Sequence, residues 1–159
     1  MRDDIAEVSN LTLDQYEDAY LAFLAAFNRQ DLATAFAALT PDCEFSTVQE
    51  LLGERWLIGR EQVTRFFEEV FEVLPDWHVE PLRFLQAADD VFVTLERGRG
   101  TGRSSGAPTV IDFATIAELR DSLVARVRQY STWEEGLRAA GFDPSIAADV
   151  RRSARSTTS

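Results

Sequence analysis

Pro75 divides this sequence into two halves written in different periods, and neither an all-helical nor an all-sheet fold accommodates both. Ahead of it, apolar residues recur every three or four positions. Leu13, Tyr16, Tyr20, Phe23, Leu24 and Phe27 form one stripe behind Thr12, a candidate N-cap, which predicts a first helix over 13–28. Asp31 caps a shorter second helix over 32–39, stopped by the Thr40-Pro41-Asp42 turn. Val63, Phe66, Phe67, Val70, Phe71 and Leu74 make a broad stripe on a third helix over 61–74. A strand over 43–48 and an aperiodic loop over 49–60, with Gly53, Trp56 and Gly59, separate the second helix from the third.

Beyond Pro75 the period falls to two. Strands are predicted over 77–87, 91–101, 109–119 and 124–133, the last three forming an antiparallel meander, and Pro81 places the first of the four at an edge or a bulge. The strand over 109–119 is apolar on both parities. Val110, Asp112, Ala114 and Ile116 share one face, and Ile111, Phe113, Thr115 and Ala117 share the other. With only three helices to cover one face, the second is expected to meet a second copy of the chain through Ile111, Phe113 and Thr115. A short helix over 134–142 closes the domain.

The 159 residues suffice for one core and not for two ordinary domains. The expected division is a lead-in over 1–12, a domain over 13–142, and a tail over 143–159 whose end, RRSARSTTS, has no bulky apolar residue and is expected to be mobile. Twenty-seven acidic against sixteen basic residues give a net charge of -11, which repels phosphate backbones and anionic membranes, so neither nucleic acid nor membrane is an expected partner. No apolar run approaches the roughly 20 residues of a membrane helix. The start MRDDIAEVSN lacks the blocks of a signal peptide, and the lone Cys43 reads as a buried inert thiol, so a reducing cytoplasm is expected. One histidine, His78, read as a surface residue, and one cysteine offer no metal set, and no cofactor is expected.

The order helix, helix, strand, loop, helix, then a four-strand meander resembles the nuclear transport factor two-like cone shared by ketosteroid isomerases and SnoaL-like polyketide cyclases. The likeness rests on Phe27-Asn28-Arg29-Gln30-Asp31-Leu32, on 57–63 (LIGREQV) leading into Phe66-Phe67, on Thr109-Val110-Ile111-Asp112-Phe113, and on the ending 130–142 (YSTWEEGLRAAGF). It implies an α+β fold with three N-terminal helices packed on a curved, mostly antiparallel sheet around an apolar pocket. It also supplies a test for isomerase chemistry, which this chain largely fails. The isomerase tyrosine donor falls on Phe23, two supporting tyrosines on Leu39 and Phe67, and the catalytic aspartate base on Thr47. The cyclase acid near the end of the last strand falls in Tyr130-Ser131-Thr132-Trp133. Only the oxyanion-side aspartate persists, as Asp112, so weak or absent activity on simple 3-keto steroids is expected.

Asp112 is therefore the candidate catalytic residue. A carboxylate in an apolar strand is costly to bury unless it is paired, protonated or solvated in a cavity, which leaves two readings: a polar anchor inside the pocket, or a structural anion bonded to Arg or Trp. Glu96 on the preceding strand lies opposite Asp112 if the connecting turn is centred near Ser104. It could then share a proton with Asp112, but it is read as solvent-facing because Val91, Val93 and Leu95 mark the core side of that strand. Arg97, Arg99 and Arg103 share one parity and could reach the pocket mouth to bind an anionic ligand, but they are read as a solvated run. Phe23, Phe27, Phe45, Thr47, Trp56, Phe66, Phe67, Phe71, Trp77, Leu95, Gln129 and Ser131 are the candidate pocket-lining residues. The expected ligand is a small hydrophobic, oxygenated molecule. Isomerisation, cyclisation or dehydration by proton transfer is one reading, and a non-catalytic ligand-binding or dimerisation domain is the other.

Overall fold

A computed structural model describes residues 10–48, 51–53 and 55–158. Most of the expected lead-in, residues 1–9, and residues 49, 50 and 54 of the expected loop lie outside the described residues.

Helix α1, Leu13–Asn28, starts where Thr12 and Gln15 exchange side-chain to backbone hydrogen bonds in a capping box. Asp31 accepts from the Thr34 amide to start α2, Leu32–Phe36. This helix is shorter than expected because Leu39 already opens strand β1, Leu39–Ser46. Pro41 therefore lies inside a strand, at a register shift where a missing N–H is tolerated. The aperiodic loop contains a three-residue strand, β2, Trp56–Ile58. Gly59, with φ at +89°, then turns the chain into α3, Arg60–Val73.

The second half is β3, His78–Ala88, β4, Val91–Thr101, β5, Pro108–Arg120, and β6, Leu123–Tyr130. Asp121 and Ser122, both at positive φ, make the tight turn between β5 and β6. The six strands pair in the order β2-β1-β6-β5-β4-β3. All neighbours are antiparallel except β1 and β6, which makes the sheet mixed.

Register decides the two faces. β4 and β5 pair Glu96 with Phe113 and Arg97 with Asp112, so the turn centre lies between Ser104 and Ser105, half a residue from the expected centre. The inner face carries Phe92, Thr94, Glu96, Ile111, Phe113 and Thr115 beneath α1, α2 and α3, in the aromatic core built on Phe27, Phe36, Phe67 and Trp77. The face expected to form a dimer thus lines the cone. On the outer face, Val93, Leu95, Ala114 and Ile116 are covered by α4, Trp133–Ala139, and α5, Ile146–Thr158. The expected tail is helix through Thr158, because Ile146, Ala147 and Val150 share one helical face and the last two are buried against the sheet.

Candidate functional site

A cavity of about 100 Å³ lies between the inner face and the helices. Its wall is chiefly hydrocarbon: Phe23 and Phe27 from α1, Phe36 from α2, Phe67 from α3, and Phe45 and Phe113 from the sheet. Among the described residues, the polar groups on the wall are Tyr16 and Tyr20 of α1, Glu96, Thr115, Ser122 and Gln129, and no basic side chain lines it.

Glu96 is the centre of this set. It is 0% exposed, against the expectation that it faces solvent. Its Oε2 accepts from the Tyr20 hydroxyl at 2.7 Å and from the Thr115 hydroxyl at 2.6 Å, while Oε1 is buried with no partner among the described residues. Burial pushes its carboxyl up to about 7, although the Thr115 and Tyr20 hydroxyls work the other way. Burial and the Glu96 charge raise the Tyr16 and Tyr20 phenols well above their ordinary value, so both remain protonated donors. Gln129 Oε1 is a second buried acceptor without a partner among the described residues. With two O–H donors on Oε2, a proton on this carboxyl resides on Oε1. Ionised, the same oxygen is a base.

Asp112 is elsewhere. It lies on the outer face, where Arg97 Nε donates to Oδ1 at 2.6 Å and Arg97 Nη2 to Oδ2 at 3.2 Å, and it does not line the cavity. Of the two readings of this residue, the structural anion bonded to arginine matches the geometry. The same parity takes Leu95 to the outer face, beneath α4 and α5. Of the other expected lining residues, Phe23, Phe27, Phe45, Phe67 and Gln129 reach the cavity wall. Phe66, Phe71 and Trp77 are core residues set back from it. Thr47 is buried and ties the loop, its hydroxyl donating to the Gly53 carbonyl at 3.0 Å and accepting from the Arg55 amide at 3.1 Å. Trp56 is 48% exposed beneath the Arg126 guanidinium, and Ser131 precedes α4 away from the cavity. Cys43 is buried, as expected.

The groups missed were Tyr20, Glu96 and Thr115. Tyr20 is one turn ahead of Phe23 on the same stripe, which was a signal in plain view; Glu96 depended on a one-residue choice of register.

A family model described as a SnoaL-like domain matches residues 20–127. No curated protein matches the chain in sequence. Among solved structures, a hypothetical protein from Catenulispora acidiphila with a ketosteroid isomerase-like fold, in complex with trimethylamine, is similar at TM-score 0.63 and 17% identity, over 79% of this chain and 94% of that one. TerC co-crystallised with polyporic acid is similar at TM-score 0.63 and 23% identity, over 72% and 88%. A phenazine biosynthesis-related protein from Pseudomonas aeruginosa is similar at TM-score 0.59 and 17% identity, over 80% and 81%. At these identities the likeness is one of fold.

Proposed function

The chain belongs to the SnoaL-like domain family, and from that premise we propose that its cone binds a small neutral molecule and moves a proton on it at Glu96. The observation that carries this is the wholly buried carboxyl at the cavity wall, with Oε2 saturated by Tyr20 and Thr115 and Oε1 unpartnered. A carboxyl poised near 7 divides between acid and base at neutral pH, which suits general acid–base work. In an isomerisation, Oε1 takes a proton from one carbon of the ligand and returns it to another, while Tyr20 and Thr115 steady the negative charge on Oε2. The proton balance closes on Glu96 itself, and no cofactor enters the reading.

A wall with no basic side chain among the described residues argues against an anionic ligand, and the six phenyl rings favour an apolar frame. The unpartnered acceptor on Gln129 suits a ligand hydroxyl. We extend the reading to a homodimer through the outer face of β2, β1 and the part of β6 away from Tyr130, the end on which α4 packs, where Trp56 and Ile58 are exposed. Cytoplasmic residence, on the single buried thiol, is part of the same reading. No helix among the described residues is long and apolar enough to cross a membrane.

The test is proton exchange on 2-indanone, a neutral bicyclic ketone, followed by NMR in heavy water. Deuterium should enter beside the carbonyl faster than in buffer, with a rate that follows a group titrating near 7 and vanishes in Glu96→Gln. Exchange at the buffer rate would overturn the catalytic reading and leave a binding domain.

A further inference from the structure

Glu96 is also held from behind. On the face of β4 away from the cavity, Trp133 at the start of α4 is 0% exposed and donates its indole Nε1–H to the Glu96 main-chain carbonyl at 2.9 Å. The register partner of Glu96 in β3 is Pro81, which brings no N–H to the ladder, and the β3–β4 register shifts immediately after it. The indole therefore fastens β4 where its pairing with the edge strand is irregular.

The ring is itself secured. The Arg97 guanidinium lies over it at 5.6 Å from the ring centroid and that of Arg151, from α5, at 5.1 Å. Asp112 fixes Arg97, and Glu134 fixes Arg151 through two hydrogen bonds of 2.8 and 3.1 Å. Asp112 thus reaches the site only at second hand, through Arg97, Trp133 and the Glu96 backbone. Trp133, Glu134 and Arg151 all lie beyond the stretch matched by the family model.

We propose that Trp133 is a positioning residue for Glu96, the means by which the α4–α5 cap holds this strand from the outer face and so keeps the carboxyl against Tyr20 and Thr115. The inference rests on Glu96 being the acid–base group, but its test needs no turnover. The titratable groups around Glu96 are Tyr16 and Tyr20 from α1 on the cavity side, with Arg97, Asp112 and Arg151 on the far side of its strand.

Trp133→Phe keeps an aromatic ring and removes the N–H. Its Glu96 carboxyl, followed by carbon-13 NMR on the full chain, should titrate at least about 0.5 pH unit below the wild-type midpoint as the loosened strand admits water. Arg151→Gln, which leaves the indole in place and removes its outer cation, should shift the midpoint the same way by less. If Trp133→Phe does not fold, Arg151→Gln decides alone. An unchanged midpoint in the folded variants overturns the positioning role even if 2-indanone exchange proceeds. A shifted midpoint with no exchange in the wild type upholds that role and overturns the proposed reaction instead.

Discussion

Glu96 carries a cost that depends on pH. Its folded value, about 7, is raised above the ordinary 4.5, so the folded protein binds the proton more tightly than the unfolded chain. The contribution is fully present below 4.5 and is lost as pH rises through 7. At about 1.4 kcal/mol per unit, the swing is about 3 kcal/mol. Chemical denaturation from pH 4 to 8 should show this fall in the wild type and a flatter profile in Glu96→Gln; parallel profiles would contradict it. Tyr20→Phe removes a donor to the ionised carboxyl, so the Glu96 midpoint should rise further, at a stability cost of about 1 to 2 kcal/mol, as NMR titration and thermal melts can check. Asp112→Asn should cost only about 1 kcal/mol in a thermal melt, since the Arg97 pair is partly exposed at 19% and 30%. A loss several times larger would mean a fully desolvated pair. The aromatic wall was legible because Phe23, Phe27 and Phe67 are anchored to helical stripes that tolerate error. The acid was not, because a strand exchanges its faces on a one-residue slip and both parities of β4 and β5 are apolar enough to look like core.

Helices α1 and α3 were visible in outline because long stripes, opened by the Thr12 cap in α1 and closed by Pro75 after α3, leave little choice of boundary. β2 was not, since three residues among glycines have no period to detect. Helix α5 was hidden by a basic, small-residue sequence whose apolar contribution is concentrated in Ile146, Ala147 and Val150. How closely these elements approach is set by glycines. A Cβ at Gly98 would overlap the Trp77 ring, and one at Gly136 would overlap Ala114, so α4 can lie on β5 only with glycine there. Gly136→Ala improves helix propensity by about 1 kcal/mol but forces α4 off the sheet. A net destabilisation of about 1 to 3 kcal/mol should appear as a lower Tm. A Tm at or above the wild type would show that the α4 contact is looser than the geometry indicates.

The molecule as a whole is a sheet with a helical layer on each face, aromatic within the cone and aliphatic around Trp133 outside it. The change of period at Pro75 was enough to read helices packed on a sheet, because helices followed by a meander have few ways to bury both stripes, and the cone itself came from the family resemblance. It did not reveal the second helical layer, and so placed the dimer on a face that turned out to be the cavity wall. With α4 and α5 over β3, β4, β5 and the Tyr130 end of β6, the outer face left open among the described residues is that of β2, β1 and the rest of β6. Ile58→Glu should then shift a sedimentation profile from dimer towards monomer; a wild type monomeric at micromolar concentration would contradict the dimer. The proposed chemistry requires Glu96 to be a buried carboxyl poised at the cavity, and the titration of that carboxyl by carbon-13 NMR tests this most directly. A midpoint of about 7 is the expected result, and one at the ordinary 4.5 would contradict it.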